Sequence, residues 1–199
     1  MATALTNTGY GIGSGGASNG GGGHGGSGRL PVENHRLGMV FALAGIGMLF
    51  MALTSAYVVR QGLGADWMRI PMPRILLLNT AVLLASSLTL EAARRTSSRN
   101  WLLATLALGF VFLCGQLLVW RQLAGAGIYL STNPHSSFFY VLTGVHGLHL
   151  AGGLVSLACV PLLPAFVSQR RRHWLDATTL YWHFMALLWV YLLILLFRS

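Results

Sequence analysis

The sequence predicts an all-α integral membrane protein, a bundle of five transmembrane helices preceded by a disordered, glycine-rich tail. Charged residues make up 9% of the 199 residues, whereas soluble domains have about 25%. The mean hydropathy is +0.63. Five long apolar runs follow residue 35, and nearly all charges lie at the ends of these runs. A chain surrounded by lipid must place its charges in this way.

Residues 1–34 form the first predicted domain, a low-complexity tail. Its segment GIGSGGASNGGGGHGGSG is dominated by glycine and serine, so it buries too little apolar surface to offset the entropy lost on ordering. It does not resemble a signal peptide, because it has neither a cationic start nor an apolar central region. Residues 35–199 form the second predicted domain, the transmembrane bundle.

Five spans are predicted in this second domain. Each reaches about the 20 helical residues that cross a hydrocarbon core of roughly 30 Å. Backbone that faces lipid must satisfy its own hydrogen bonds, so each span is predicted to be a helix. The predicted spans are residues 37–59, 74–93, 101–120, 136–160 and 177–197.

The arginines predict the orientation of the bundle. With five spans, the N-terminus and the second and fourth connections share one side and hold eight of the thirteen basic residues, all of them arginine. The positive-inside rule then places the N-terminus in the cytoplasm and the C-terminus in the periplasm of a bacterial inner membrane. Topology and lipid headgroups explain the net charge of +9 better than nucleic acid does, because the arginines form no single stripe.

Small residues four apart predict where the helices approach closely, since such pairs let helix backbones pack together. The pairs are Gly38 with Ala42, Ala81 with Ala85, Gly147 with Ala151, and Gly152 with Ser156. The two cysteines, Cys114 and Cys159, fall within apolar runs and are predicted to be small buried side chains rather than a disulfide.

The polar residues in the middle of the predicted spans limit the functions that this chain can have. No Asp, Glu, Lys or Arg lies in the middle of a predicted span, which counts against an autonomous ion transporter. Three histidines lie there, His146 and His149 in TGVHGLHLAGG and His183 in YWHF. His149 and His183 could ligate haem from two helices. We favour contacts with neighbouring helices or lipid headgroups, because no metal-binding motif accompanies them.

Four strings, taken together and in this order, resemble subunit III of haem–copper terminal oxidases. They are RLGMVFAL…LFMALTSAYVV, LLLNTAVLLASS, SSFFYVLTGVHGLHLAGG and YWHFMALLWVYLL, and they cover roughly residues 35–197. Five spans rather than seven match the short bacterial form of this family, found in cytochrome c and quinol oxidases.

The resemblance implies a non-catalytic subunit that packs on the catalytic subunit I, holds structural lipid and supports proton uptake during oxygen reduction. It implies haem and copper in partner subunits and no catalytic, cofactor-binding or metal residue in this chain. The implied partners are subunits I and II, subunit IV or an electron-donor complex, and phospholipid. Candidate lipid or subunit-interface residues at matching positions are Arg36, His146, His149, Trp182 and His183.

Three positions depart from the family pattern. Carboxylates common in the family are replaced here by Ile46, Val119 and Ala186. Their loss puts a proton-collecting role inside this bundle in doubt and favours scaffold and lipid roles. Two alternatives remain open: a subunit III-like component of a nitric oxide reductase, and a haem-binding membrane electron carrier that uses His149 and His183.

Overall fold

Five long helices make up the part of the chain that the computed structural model describes, which confirms the predicted fold class. The described residues are 33–63, 74–96, 98–160 and 168–198, with side chains of the first and last ranges described from residues 37 and 172 onward. Residues 1–32 of the predicted tail lie outside the described part of the chain, while Glu33 and Asn34 belong to the first helix. The helices are α1 (Glu33–Leu63), α2 (Ile75–Thr96), α3 (Arg99–Gly125), α4 (Pro134–Cys159) and α5 (Ser168–Arg198).

All five helices are long and apolar enough to cross a membrane. Each predicted span falls almost entirely within one helix, and the helices are longer than the spans. The largest difference is in α5, which begins at Ser168, nine residues before the predicted span. Apolar length reports only the hydrocarbon thickness, while a helix continues into the polar interface. The division into a tail and a bundle at residue 35 stays a prediction.

Local signals fix the turn between α3 and α4. Gly127 has a φ of 77°, a left-handed conformation that glycine adopts without steric cost. Asn133 caps α4, because its side chain accepts a hydrogen bond from the Ser136 N–H at 2.8 Å. The Asn133 N–H donates in return to the Ser136 hydroxyl at 3.2 Å. Pro134 follows the cap, where its missing N–H costs nothing.

The helices pack so that α2 contacts α3 and α5, while α4 contacts α3 and α5. The main contacts of α1 are with α4 and α5. In its apolar stretch only 17% of the residues are buried, compared with 33–39% in the other helices. Most of the surface of α1 is therefore left for lipid or for another protein.

The predicted close approaches are not made at most of these small residues. A Cβ added at Gly38 or Gly152 would meet nothing within 4 Å, and Ala81 and Ala85 are exposed. At Gly147 the nearest atom, on Leu113, is 3.9 Å away. A spacing of four places two residues on one face of a helix, but it does not decide whether that face is turned inward.

The close approaches lie at other glycines. A Cβ at Gly109 would lie 2.8 Å from Leu154 Cδ2 and 2.9 Å from Trp182 Cη2, and one at Gly153 would lie 2.9 Å from Tyr181 Cε1. Large side chains of α4 and α5 thus occupy the space that a larger residue would need at these positions. At these positions a large side chain of one helix packs against a glycine of another. Two faces of small residues do not pack against each other there.

The expectation of buried cysteines is also wrong. Cys114 and Cys159 are both free thiols, as predicted, but both are exposed on the surface of the chain. In a membrane bundle an apolar run has a lipid-facing side as well as an inner side, so an apolar neighbourhood in sequence does not imply burial.

Candidate functional site

His146 lies at the meeting point of four helices. Its imidazole is fully buried. The ring centroids of Phe50 on α1, Phe112 on α3 and Trp189 on α5 lie 6.4, 6.1 and 5.0 Å from its own. His146, on α4, is therefore enclosed by an aromatic side chain from each of the other three helices.

Neither imidazole nitrogen of His146 has a hydrogen-bond partner among the described residues. The interhelical hydrogen bond expected of this side chain is therefore not made there, and ring contacts take its place. A buried polar group without a partner is unfavourable. The ring contributes to the bundle by filling space between aromatic neighbours.

His149 lies one turn further along α4 and is half-buried. Its Nδ1 lies 2.8 Å from the Val145 carbonyl oxygen of the same helix, and its ring packs edge-on against Phe50 at 5.9 Å. His149 is joined to α5 by its backbone and not by its imidazole, because the Tyr181 hydroxyl donates a hydrogen bond to the His149 carbonyl oxygen at 2.7 Å. His183 is half-buried.

Trp182 on α5 is fully buried and faces α2. Its indole Nε1 donates to the Ser86 hydroxyl at 3.0 Å. Two turns further along, the Trp189 Nε1 donates to the Thr80 hydroxyl at 2.9 Å. Both hydroxyls donate onward to backbone carbonyls of α2. Trp182 and His146 are enclosed within this chain, so they act on lipid or a partner only through the helices that they position.

Arg36 belongs to α1 by its backbone, and its side chain lies outside the described part of the chain. Its assignment to a lipid phosphate stays a prediction.

The three positions at which the family resemblance predicts carboxylates hold side chains that are buried or packed against the core. Val119 is fully buried, Ala186 is 4% exposed, and Ile46 packs against the core. An acid at any of them would be desolvated, whereas the apolar side chains here fill the same space. These positions offer no proton-binding group.

Three ion pairs among the described residues lie at one end of the bundle. Arg94 and Arg95 both bind Glu91, with shortest distances of 2.7 and 2.8 Å. Arg94 Nη1 also lies 3.6 Å from Asp176 Oδ1 on α5. Since these groups are partly exposed, the cluster ties α2 to α5 only weakly. Among the described residues, no three His, Cys, Asp or Glu side chains are grouped closely enough to hold a metal ion.

Sequence reasoning missed the hydroxyl groups that accept the indole hydrogen bonds. Thr80 and Ser86 lie within the second predicted span, and the sequence pattern assigns no partner to either hydroxyl. Thr143 on α4 is a polar residue at depth in the sequence, and in the structure it accepts from Trp120 Nε1 at 3.1 Å. The serines and threonines within the apolar runs are a signal for such bonds. A hydroxyl inside a membrane helix can bond only to its own backbone or to a donor on a facing helix.

Comparisons with known proteins agree with this description. The sequence model of the family described as "Cytochrome c oxidase subunit III" matches residues 24–198. A protein named "Cytochrome c oxidase subunit 3" from Synechocystis sp. is 32% identical over 174 residues, which are 80% of this chain and 73% of that protein. A protein of the same name from Thermostichus vulcanus is 29% identical over 177 residues, 81% of this chain and 85% of that protein.

Proposed function

Because the chain belongs to the cytochrome c oxidase subunit III family, we propose that it is the non-catalytic subunit III of a respiratory haem–copper oxidase. In this role it packs on and stabilises the catalytic subunit I and holds structural lipid. Subunit II is a further partner, and haem and copper belong to the partner subunits. The complex lies in the bacterial inner membrane, with the N-terminus of this chain in the cytoplasm.

The exposed apolar surface of α1 is the observation that carries this proposal. Large side chains project from it, including Phe41 at 68%, Met48 at 73% and Met51 at 63% exposure. Helices in membranes associate through close van der Waals packing, and methionine adapts its shape to a partner surface. A helix held by its own bundle on one side presents its other side to a second membrane protein.

Crosslinking in the purified complex tests this proposal. A photoreactive amino acid at Met48 should crosslink to subunit I, because the proposed contact covers this face of α1. The same amino acid at Phe110, which is 65% exposed on α3, serves as the matched control and should crosslink mainly to lipid. Isolation of the chain as a stable, haem-free monomer without a copurifying subunit I would contradict the proposal.

Support for proton uptake is proposed to be indirect. The inward-facing positions held by Ile46, Val119 and Ala186 bind no proton, so this subunit acts by keeping subunit I and its surrounding lipid in place. Restoring one acid, as in Val119→Glu, should therefore not raise the turnover rate of the oxidase. A clear increase in proton uptake by this variant would argue for a direct path through the bundle.

The haem-carrier alternative makes a separate prediction. It requires a haem Soret band in the chain expressed alone, and the loss of that band in His149→Ala and His183→Ala. The proposed role predicts haem absorption only from the assembled complex. An optical spectrum of the separately expressed chain distinguishes the two.

A further inference from the structure

Two adjoining cavities form a groove between α3 and α4. The outer cavity, of about 640 Å³, is lined by Arg121 among others. The inner cavity, of about 310 Å³, is lined by Gln116 and Gly147 among others. Leu117 and Trp120 line both cavities. The two are therefore one continuous groove that runs from the end of α3 toward the middle of the membrane.

Gln116 places an unpartnered amide in the inner part of this groove. The residue lines the inner cavity and is only 3% exposed. Among the described residues, neither its Oε1 nor its Nε2 has a hydrogen-bond partner. Leaving these atoms unsatisfied is costly in a setting without water. An occupant that fits the groove must therefore donate a hydrogen bond to Oε1 and accept one from Nε2.

This double requirement distinguishes the possible occupants. At this depth a phospholipid presents ester carbonyls and acyl chains, which supply acceptors but no donor, so Gln116 Oε1 would stay unsatisfied. The side-chain amide of another helix supplies both a donor and an acceptor, and it can pair with Gln116 through two hydrogen bonds. Polar side chains of this kind join helices within membranes. The chemistry of Gln116 thus favours a protein helix.

The α4 wall of the groove consists of small residues. Gly144, Gly147 and Ala151 line the inner cavity, and their spacing of three and four residues places them on one side of α4. Small residues let the backbone of another helix approach closely. At Gly147 the close approach that the sequence predicts is not made within the chain, since a Cβ there would be 3.9 Å from its nearest neighbour. A second helix would supply it.

Arg121 gives the outer end of the groove a positive charge. It is exposed near the end of α3, and none of the ion pairs among the described residues includes it. It follows Gln116 by five residues, about 7.5 Å along the helix axis. A carboxylate at the same distance from the amide of a docked helix would pair with this guanidinium through charge-assisted hydrogen bonds.

We propose that the groove between α3 and α4 is the docking site for a transmembrane helix of a second protein. The docked helix carries an asparagine or glutamine opposite Gln116 and an aspartate or glutamate opposite Arg121. No predicted span of this chain contains an amide and an acid five residues apart, so a second copy of the chain does not fit. The contact is separate from the one proposed for α1 and does not depend on it.

A model transmembrane peptide tests the site in the full-length chain. The peptide is a leucine–alanine helix of about 25 residues, with a glutamine one turn from its centre, a glutamate five residues further out and a photoreactive leucine beside the glutamine. Peptide and purified chain are reconstituted in phosphatidylcholine nanodiscs, and crosslinks are mapped by mass spectrometry. Compared with a peptide that has leucine at both polar positions, we expect about threefold or more labelling of the groove, the effect of one average hydrogen bond between membrane helices.

Two substitutions assign each contact to its side chain. Gln116→Leu should remove the advantage of the peptide's glutamine and keep that of its glutamate, while Arg121→Gln should do the reverse. Arg198→Gln removes an exposed arginine at the end of α5, and as the matched control it should change neither advantage. Each result is a ratio between two peptides on the same variant, so a loss of folded chain does not imitate it.

The shape of the groove is tested by a second pair of variants. Gly147→Leu should lower labelling by both peptides, because the longer side chain fills the inner cavity. Gly152→Leu on the same helix is the control, since Gly152 does not line the groove and a Cβ there meets nothing within 4 Å. This control should label like the unchanged chain.

Native membranes provide a test without the model peptide. A photoreactive amino acid at Leu148, which lines the inner cavity and is 73% exposed, should crosslink to a protein whose span has the amide and the acid. The same amino acid at Phe110, which lines neither cavity, should crosslink mainly to lipid.

Equal labelling by the two peptides, or an advantage that survives both Gln116→Leu and Arg121→Gln, would overturn the proposal. Adducts of position 148 with lipid alone, with a second copy of the chain, or with a span that lacks polar residues would do the same. Copurification with subunit I is measured in parallel for each variant. A failure of the groove with intact copurification therefore leaves the proposed function standing.

Discussion

The surroundings of His146 show how a polar residue in a membrane bundle serves as a packing element. Three aromatic rings enclose its imidazole, and the described residues leave both nitrogens without a partner. A side chain of this shape without a polar partner could be replaced by an apolar ring, because nothing that the structure shows depends on its nitrogens.

We expect His146→Phe to keep or raise the stability of the bundle, because it removes two unsatisfied polar atoms and retains the ring contacts. His146→Ala should instead destabilise by about 2–5 kcal/mol, since it leaves a cavity among large side chains. The measurement is the midpoint of denaturant-induced unfolding of the purified chain. A phenylalanine variant that folds normally but slows oxidase turnover would show that an imidazole nitrogen matters for function.

A second prediction at this scale concerns Gly109. The added methyl group of Gly109→Ala would overlap the buried ring of Trp182 and the side chain of Leu154, and overpacking of this kind costs about 1–3 kcal/mol. Gly45→Ala is the control, because a Cβ there meets nothing within 4 Å. Thermal unfolding should show a lower midpoint for the first variant only. Equal midpoints would mean that Leu154 and Trp182 can shift at little cost.

At the scale of the helices, two indole–hydroxyl hydrogen bonds join α5 to α2. Trp182 and Trp189 are seven residues apart, and their acceptors Ser86 and Thr80 are six residues apart in the opposite direction. This matches two antiparallel helices in continuous contact. The bonds fix the rotation of α5, because both indoles must face α2 at once.

A double-mutant cycle of Trp189→Phe and Thr80→Ala measures one of these bonds. Hydrogen bonds between membrane helices contribute about 0.6 kcal/mol on average and up to about 1.7 kcal/mol, and we expect a coupling energy in this range. The control pairs Trp189→Phe with Thr89→Ala, since Thr89 bonds to Thr105 on α3 instead. A coupling energy near zero in the first cycle would contradict the observed contact.

The helices themselves could be predicted because lipid imposes a strong constraint. A run of about 20 apolar residues with charges at its ends has few stable alternatives to a membrane helix. The side of each helix that is covered by other helices could not be predicted in the same way. Gly38 and Gly109 both lie in apolar runs, and only the packing of the other helices decides that the second is covered. The site residues show the same limit. The family resemblance covers both Trp182 and Ser86, but it singles out only Trp182 and does not predict that Ser86 accepts its hydrogen bond.

For the whole molecule, the orientation in the membrane decides which end of the bundle faces the cytoplasm. Five spans place the termini on opposite sides. The sequence assigns eight arginines to the N-terminal side and five to the other, a small excess that predicts a cytoplasmic N-terminus. Arg121, near the end of α3, would then lie on the periplasmic side.

Reporter fusions test this orientation. Alkaline phosphatase fused after the last residue should be active, because it is active only in the periplasm, and green fluorescent protein at the same place should be dark. Replacing the three consecutive arginines at 170–172 by glutamine equalises the two sides at five each. This variant should give a mixed population, whereas Arg121→Gln should strengthen the original orientation. A fluorescent C-terminal fusion would reverse the assignment of every connection.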